Sequence, residues 1–75
     1  MKYGDLVVLI RYNGYDHALQ KQFYFAFIAN GTRSEFIFEG EVGLYYGDLP
    51  TGQMLILFGE KKVSIEDERD LKKIL

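Results

Sequence analysis

The stretch QFYFAFIANGTRSEFIFEG, residues 22–40, decides the fold class. Asn30-Gly31 near its centre is the preferred pair for a two-residue type I′ hairpin turn, because both central positions of that turn need positive φ. With the turn in place Ala29 faces Thr32, and the pairing runs outward from there. Ile28 meets Arg33, Phe27 meets Ser34, Ala26 meets Glu35, Phe25 meets Phe36, Tyr24 meets Ile37, Phe23 meets Phe38 and Gln22 meets Glu39. Alternate side chains of a strand point to opposite faces. One face of the hairpin is therefore almost all Phe, and a slip of one residue would scatter it. The other face carries Tyr24, Ile28 and Ile37 beside Arg33, Glu35 and Glu39. With the Phe face expected to form the core, the second face is either covered by another element or presented to a partner.

The rest of the chain reads as strand on both sides of this hairpin. Residues 6–12 are rich in β-branched and aromatic side chains and stop at Asn13-Gly14, a turn signal. YNGYDHAL (12–19) reads as a loop, since its Asn, Gly and Asp favour turn conformations. Gly40 and Gly43 bracket a strand over 41–46, with Val42, Leu44 and Tyr46 alternating to one side. QMLILF (53–58) is apolar on both faces, as expected of a central or doubly covered strand. Gly59-Glu60 turns the chain into a short strand over 61–65. Ser64-Ile65-Glu66-Asp67 resembles a helix capping box, and Leu71, Ile74 and Leu75 fall at helical spacing, so the last ten residues are expected to form a short helix docked on the sheet. The tetrad Tyr-Gly-Asp-Leu occurs at 3–6 and again at 46–49. Each copy reads as a turn that launches an apolar strand, one local solution used twice.

Composition sets the outer limits. Seventy-five residues make one small domain, 48% hydrophobic and 16% aromatic, near the lower size at which a single core suffices. No Cys is present, so neither a disulfide nor a thiolate metal site supports the fold. Met1 is followed by a turn and a five-residue apolar run too short for a signal sequence, and the longest apolar stretch, residues 23–29, falls far below the ~20 residues of a membrane span. A cytoplasmic protein is expected. The net charge of −2 argues against nonspecific nucleic-acid binding, which runs on an excess of Lys and Arg.

Chemistry has few candidates. His17 is the lone histidine and reads as a loop residue in solvent. Ser64 is expected as a helix cap, and Thr32 and Ser34 as hairpin residues, rather than as nucleophiles. Glu39 and Glu41 would share a strand face with Glu35. An exposed face does not separate their pKa values enough for acid and base roles. No helix follows the glycines closely enough to make a phosphate loop. No catalytic, cofactor-binding or metal-ligating residue is assigned, and an enzyme is not expected.

The launch YGDLVVL, then GEVG, MLILFG and KKVSIEDERDL, resembles the strand order of SH3-like small β-barrels of the KOW/Tudor kind. The resemblance covers about half of the chain. It departs at the Phe-rich hairpin, which sits where those domains usually have a loop. It implies a binding module, with ligands that range across the family from nucleic acid to methylated side chains to proteins. The fold expected is thus mainly β: about five antiparallel strands in a meander or small SH3-like barrel, with a short C-terminal helix, in one domain over 1–75. The function expected is a non-enzymatic protein-binding or inhibitory module. Its partner-binding residues are Tyr24, Ile28, Arg33 and Ile37 on the second hairpin face, with Tyr12 and Tyr15 from the adjoining loop. Compact, acidic, Cys-free chains of this size are common among phage and mobile-element accessory proteins. Two alternatives stand beside it: a nucleic-acid-binding barrel using Tyr stacking with Arg11, Lys21, Arg33 and Lys61, and a structural homo-oligomer.

Overall fold

The computed structural model describes residues 1–27 and 34–74. Among them are eight strands: β1 (Leu6–Leu9), β2 (Gly14–Asp16), β3 (Lys21–Phe27), β4 (Ser34–Phe38), β5 (Val42–Asp48), β6 (Met54–Phe58), β7 (Lys61–Ile65) and β8 (Leu71–Lys73). They form two antiparallel sheets rather than a single five-stranded meander. The larger has the order β7-β6-β5-β1-β8 and the smaller the order β2-β3-β4. Each sheet needs a cover for its apolar side, and each supplies the other's. One core results, built from Val7, Leu9, Tyr45, Met54, Ile56, Phe58, Val63, Ile65 and Leu71 of the large sheet and Ala26 and Ile37 of the small one.

The register of the central hairpin is the one expected from the sequence: Phe23 opposite Phe38, Tyr24 opposite Ile37, Phe25 opposite Phe36, Ala26 opposite Glu35 and Phe27 opposite Ser34. The turn itself, with Ile28 and Arg33, lies outside the described residues. Which face turns inward is the reverse of expectation. Ile37 and Ala26 are buried and Tyr24 packs against the core, while Phe25 and Phe36 stand on the outside. Volume accounts for this. Where β3 lies against β7, the large sheet already contributes Phe58, Ile56, Val63 and Ile65. A close-packed interior leaves room there for the compact Ala26 and Ile37, and a second layer of Phe rings would overfill it.

The expected C-terminal helix does not form. Glu68–Asp70 make a single 3-10 turn, and the chain then becomes β8 beside β1. A ten-residue helix would bury one small patch and is marginal alone. As a strand, the same residues satisfy the open edge of β1, through Ile10 N–H to Asp70 O at 2.8 Å and Ile74 N–H to Leu6 O at 2.9 Å, and they still bury Leu71. Asp67, not Ser64, caps the turn: its carboxylate accepts from the Arg69 N–H, while Ser64 lies inside β7. The expected loop over 12–19 also contains a strand, β2.

The two Tyr-Gly-Asp-Leu tetrads differ in structure and lie side by side. The first is a turn, with Gly4 at φ 92° and the Lys2 N–H donating to the Asp5 carboxylate at 2.8 Å. The second runs through β5, where the register to β6 shifts between Tyr45 and Gly47 and Gly47 takes φ 127°. It is a strand bulge and not the expected turn; the turn comes later, where the Gly52 N–H donates to Leu49 O. Gly4 N–H donates to Tyr45 O, and the rings of Tyr3 and Tyr46 meet with centroids 5.2 Å apart. Gly43 has a separate reason to be glycine, because a Cβ there would lie 2.7 Å from Ile56 Cγ2 and Phe58 Cε1.

Candidate protein-binding surface

Three of the six residues expected to contact a partner, Ile37, Tyr24 and Tyr12, lie in or against the core. Ile37 is wholly buried, and Tyr24 is half-buried against the core. Burial, then the nearby Asp70, Glu66 and Asp67 carboxylates, push the Tyr24 hydroxyl above the ordinary tyrosine range. Tyr12 also packs on the core, and its hydroxyl donates to Leu9 O at 2.7 Å. Burial, with a smaller contribution from Glu39, raises its pKa too. Ile28 and Arg33 lie outside the described residues. Tyr15 is exposed, with its ring edge-on to His17 at 5.0 Å.

The free face of the hairpin is the aromatic one. Phe25 and Phe36 are each 47% exposed, with Phe23 and Phe38 half-buried beside them. The rings hold one another: Phe23 and Phe36 meet edge to face at 4.9 Å, Phe25 and Phe36 are tilted at 4.9 Å, and Phe36 and Phe38 stack at 6.3 Å. Phe23 also lies over Gly14 of β2, where a Cβ would come within 2.2 Å of its ring. Glycine at that position lets the ring approach this closely. Beside this cluster is a shallow hollow of about 430 Å³ lined by Asn13, Phe23, Phe25 and Phe36. Asn13 Oδ1 accepts from the Phe25 N–H at 2.9 Å, which closes the edge of β3 beyond the short β2.

Glu39, Glu41 and Lys61 are committed to the hairpin's edges. Glu39 accepts from the Gln22 N–H and Glu41 from the Phe38 N–H, each at 2.8 Å. Gly40, at φ 91°, turns the chain between them, so they do not share a strand face. Lys61 Nζ bridges Glu41 at 3.2 Å and donates to Phe36 O at 3.0 Å, plugging the outer edge of β4. Such plugs hinder edge-to-edge pairing with another chain. Lys61 is thereby occupied, and Arg11 sits 3.8 Å from Asp70. Among the described residues no group of three or more His, Asp or Glu side chains is placed to hold a metal ion, and no helix is long and apolar enough to cross a membrane.

No protein-family model, curated protein or solved structure matches this chain. The aromatic face escaped the reading of the sequence because a row of Phe normally signals a core. The pairing that accommodates the ring of Phe23, opposite the side-chain-free Gly14, is set by the tertiary structure, since residues 12–19 read locally as a loop.

Proposed function

We propose that the chain is a non-enzymatic protein-binding module and that the exposed Phe23, Phe25, Phe36 and Phe38 face is its contact surface. The carrying observation is the half-exposure of Phe25 and Phe36 on a strand pair whose backbone edges are closed by Asn13, Glu41 and Lys61. Burying a Phe side chain contributes roughly 1.5–3 kcal/mol, and much of that is still unrealised at these two rings. Aromatic side chains are enriched at the centres of protein interfaces. The rings are held in place by one another, so little side-chain freedom is lost on contact.

The SH3-like reading fits beside this as the scaffold. What supports it is the pairing of β1 with β5, then β6 and β7, with Asp70-Leu71 leading into a last strand on the far side of β1. In that reading the three-stranded sheet is an elaborated loop between the first two barrel strands, and it carries the contact surface. A reducing, cytoplasmic setting suits a Cys-free chain.

The test compares the wild type with the Phe25→Ser/Phe36→Ser double variant, immobilised and exposed to nuclease-treated extract of the source cells at low and high salt. The variant is expected to keep its circular dichroism spectrum and lose the captured protein, and capture by the wild type is expected to resist salt. Unchanged capture by the variant would exclude the Phe face. Capture seen only from extract left untreated with nuclease, or release by moderate salt, would favour a nucleic-acid ligand.

A further inference from the structure

The outer face of the large sheet is apolar as well, and it is independent of the Phe face. Alternation along β1 and β5 to β8 places Leu6, Val8, Val42, Leu44, Tyr46, Leu55, Leu57 and Ile74 outward, opposite to the buried Val7, Leu9, Tyr45, Ile56 and Phe58. The register aligns them across the strands. Leu6 is paired with Leu44, Leu44 with Leu57 and Leu57 with Lys62, while Val42 is paired with Val8 and Val8 with Lys72. Leu6 and Val42 are 41% and 46% exposed. The charged strand residues on this face are Lys62 and Lys72, one on each edge strand, although the chain as a whole carries a net charge of −2. Lys62 Nζ reaches over the Tyr46 ring at 6.0 Å, which places it on this side of the sheet.

We propose that this face docks an amphipathic helix of a partner protein whose aliphatic side is flanked at both ends by carboxylates. Two arguments select that occupant. The first is charge. Lys62 and Lys72 are separated by four strand spacings, about 19 Å, and carboxylates at that separation would meet both. A second copy of the chain would not, because an aligned two-fold stacking of this face lays each Lys-bearing edge over another Lys-bearing edge. The second argument is backbone satisfaction. The face of a sheet offers no free N–H or C=O groups, so a segment lying on it has to satisfy its own, as a helix does. A helix of ~13 residues spans the distance between the two lysines.

The experiment titrates the full-length protein into two fluorescent helical peptides of ~13 residues. Both have one leucine face; one carries glutamates at both ends and the other lysines. The glutamate peptide is expected to bind roughly tenfold more tightly, the swing from attraction to repulsion at two rim pairs. The Lys62→Glu/Lys72→Glu variant is expected to reverse the preference. Equal binding of both peptides, or binding of neither, overturns the proposal. So does tighter binding to vesicles of anionic lipid. A concentration-dependent dimer by light scattering that becomes a folded monomer on Leu44→Glu overturns it in favour of a second copy. Phe25→Ser/Phe36→Ser is expected to leave peptide binding unchanged, so loss of the Phe-face reading and loss of this one are separable.

Discussion

Ile37 and Phe25 stand on adjacent strands and opposite faces, and the contrast between them is the sharpest residue-level test of the fold. Ile37→Ala is expected to cost about 2–5 kcal/mol, since it empties a wholly buried site. Phe25→Ser should cost roughly 1 kcal/mol, the loss of cross-strand ring contact on an open face. Urea unfolding of both variants checks this, and the reverse order would place the Phe face inside. Gly43→Ala is expected to destabilise by about 1–3 kcal/mol through crowding against Ile56 and Phe58, in the same assay. The pairing of Tyr24 with Ile37 was legible in the sequence because an Asn-Gly turn fixes register locally. Their burial was not, because alternation says which residues share a face and is silent on what that face meets.

At the scale of elements, the C-terminal segment separates local preference from tertiary demand. Residues 66–75 carry helix signals, yet the open edge of β1 offers a row of backbone partners, and three residues of strand use it. The capping residue identifies the outcome. Asp67→Ala should lower stability by about 1 kcal/mol, because the Arg69 N–H loses its acceptor. Ser64→Ala, inside β7, should leave the thermal midpoint nearly unchanged. A helix capped by Ser64 would give the opposite pair of results. The second Tyr-Gly-Asp-Leu follows the same logic. Its glycine serves a positive φ in both copies, as a turn at Gly4 and as a strand bulge at Gly47, and only the neighbouring strand decides which.

Across the whole molecule, Tyr12, Tyr24 and Tyr45 link stability to pH. Burial raises the first two, and the hydrogen bond from the Tyr45 hydroxyl to Asp48, at 2.5 Å, raises the third. A raised folded pKa means that the native state holds the proton more tightly than the unfolded chain. The stability this contributes is fully present below the ordinary tyrosine value of 10.0 and is lost as pH rises through the folded values. The thermal midpoint should therefore fall on the alkaline side, and less steeply in Tyr24→Phe. Asp5, lowered by the Lys2 N–H, and Asp67, lowered by Arg69, act in the other direction. Their contribution is present above the unfolded value of 3.8 and lost as pH falls below it. It should be small and salt-sensitive, since both carboxylates still touch solvent and are only partly shielded from screening. The residue sequence by itself determined what depends on neighbours along the chain: the strand-rich class, the hairpin register and the glycine turns. Only the tertiary structure decided which hairpin face is buried, what residues 66–75 become and which surfaces stay free. Those outcomes depend on how the volumes and backbone edges of distant segments match once two sheets close on one core.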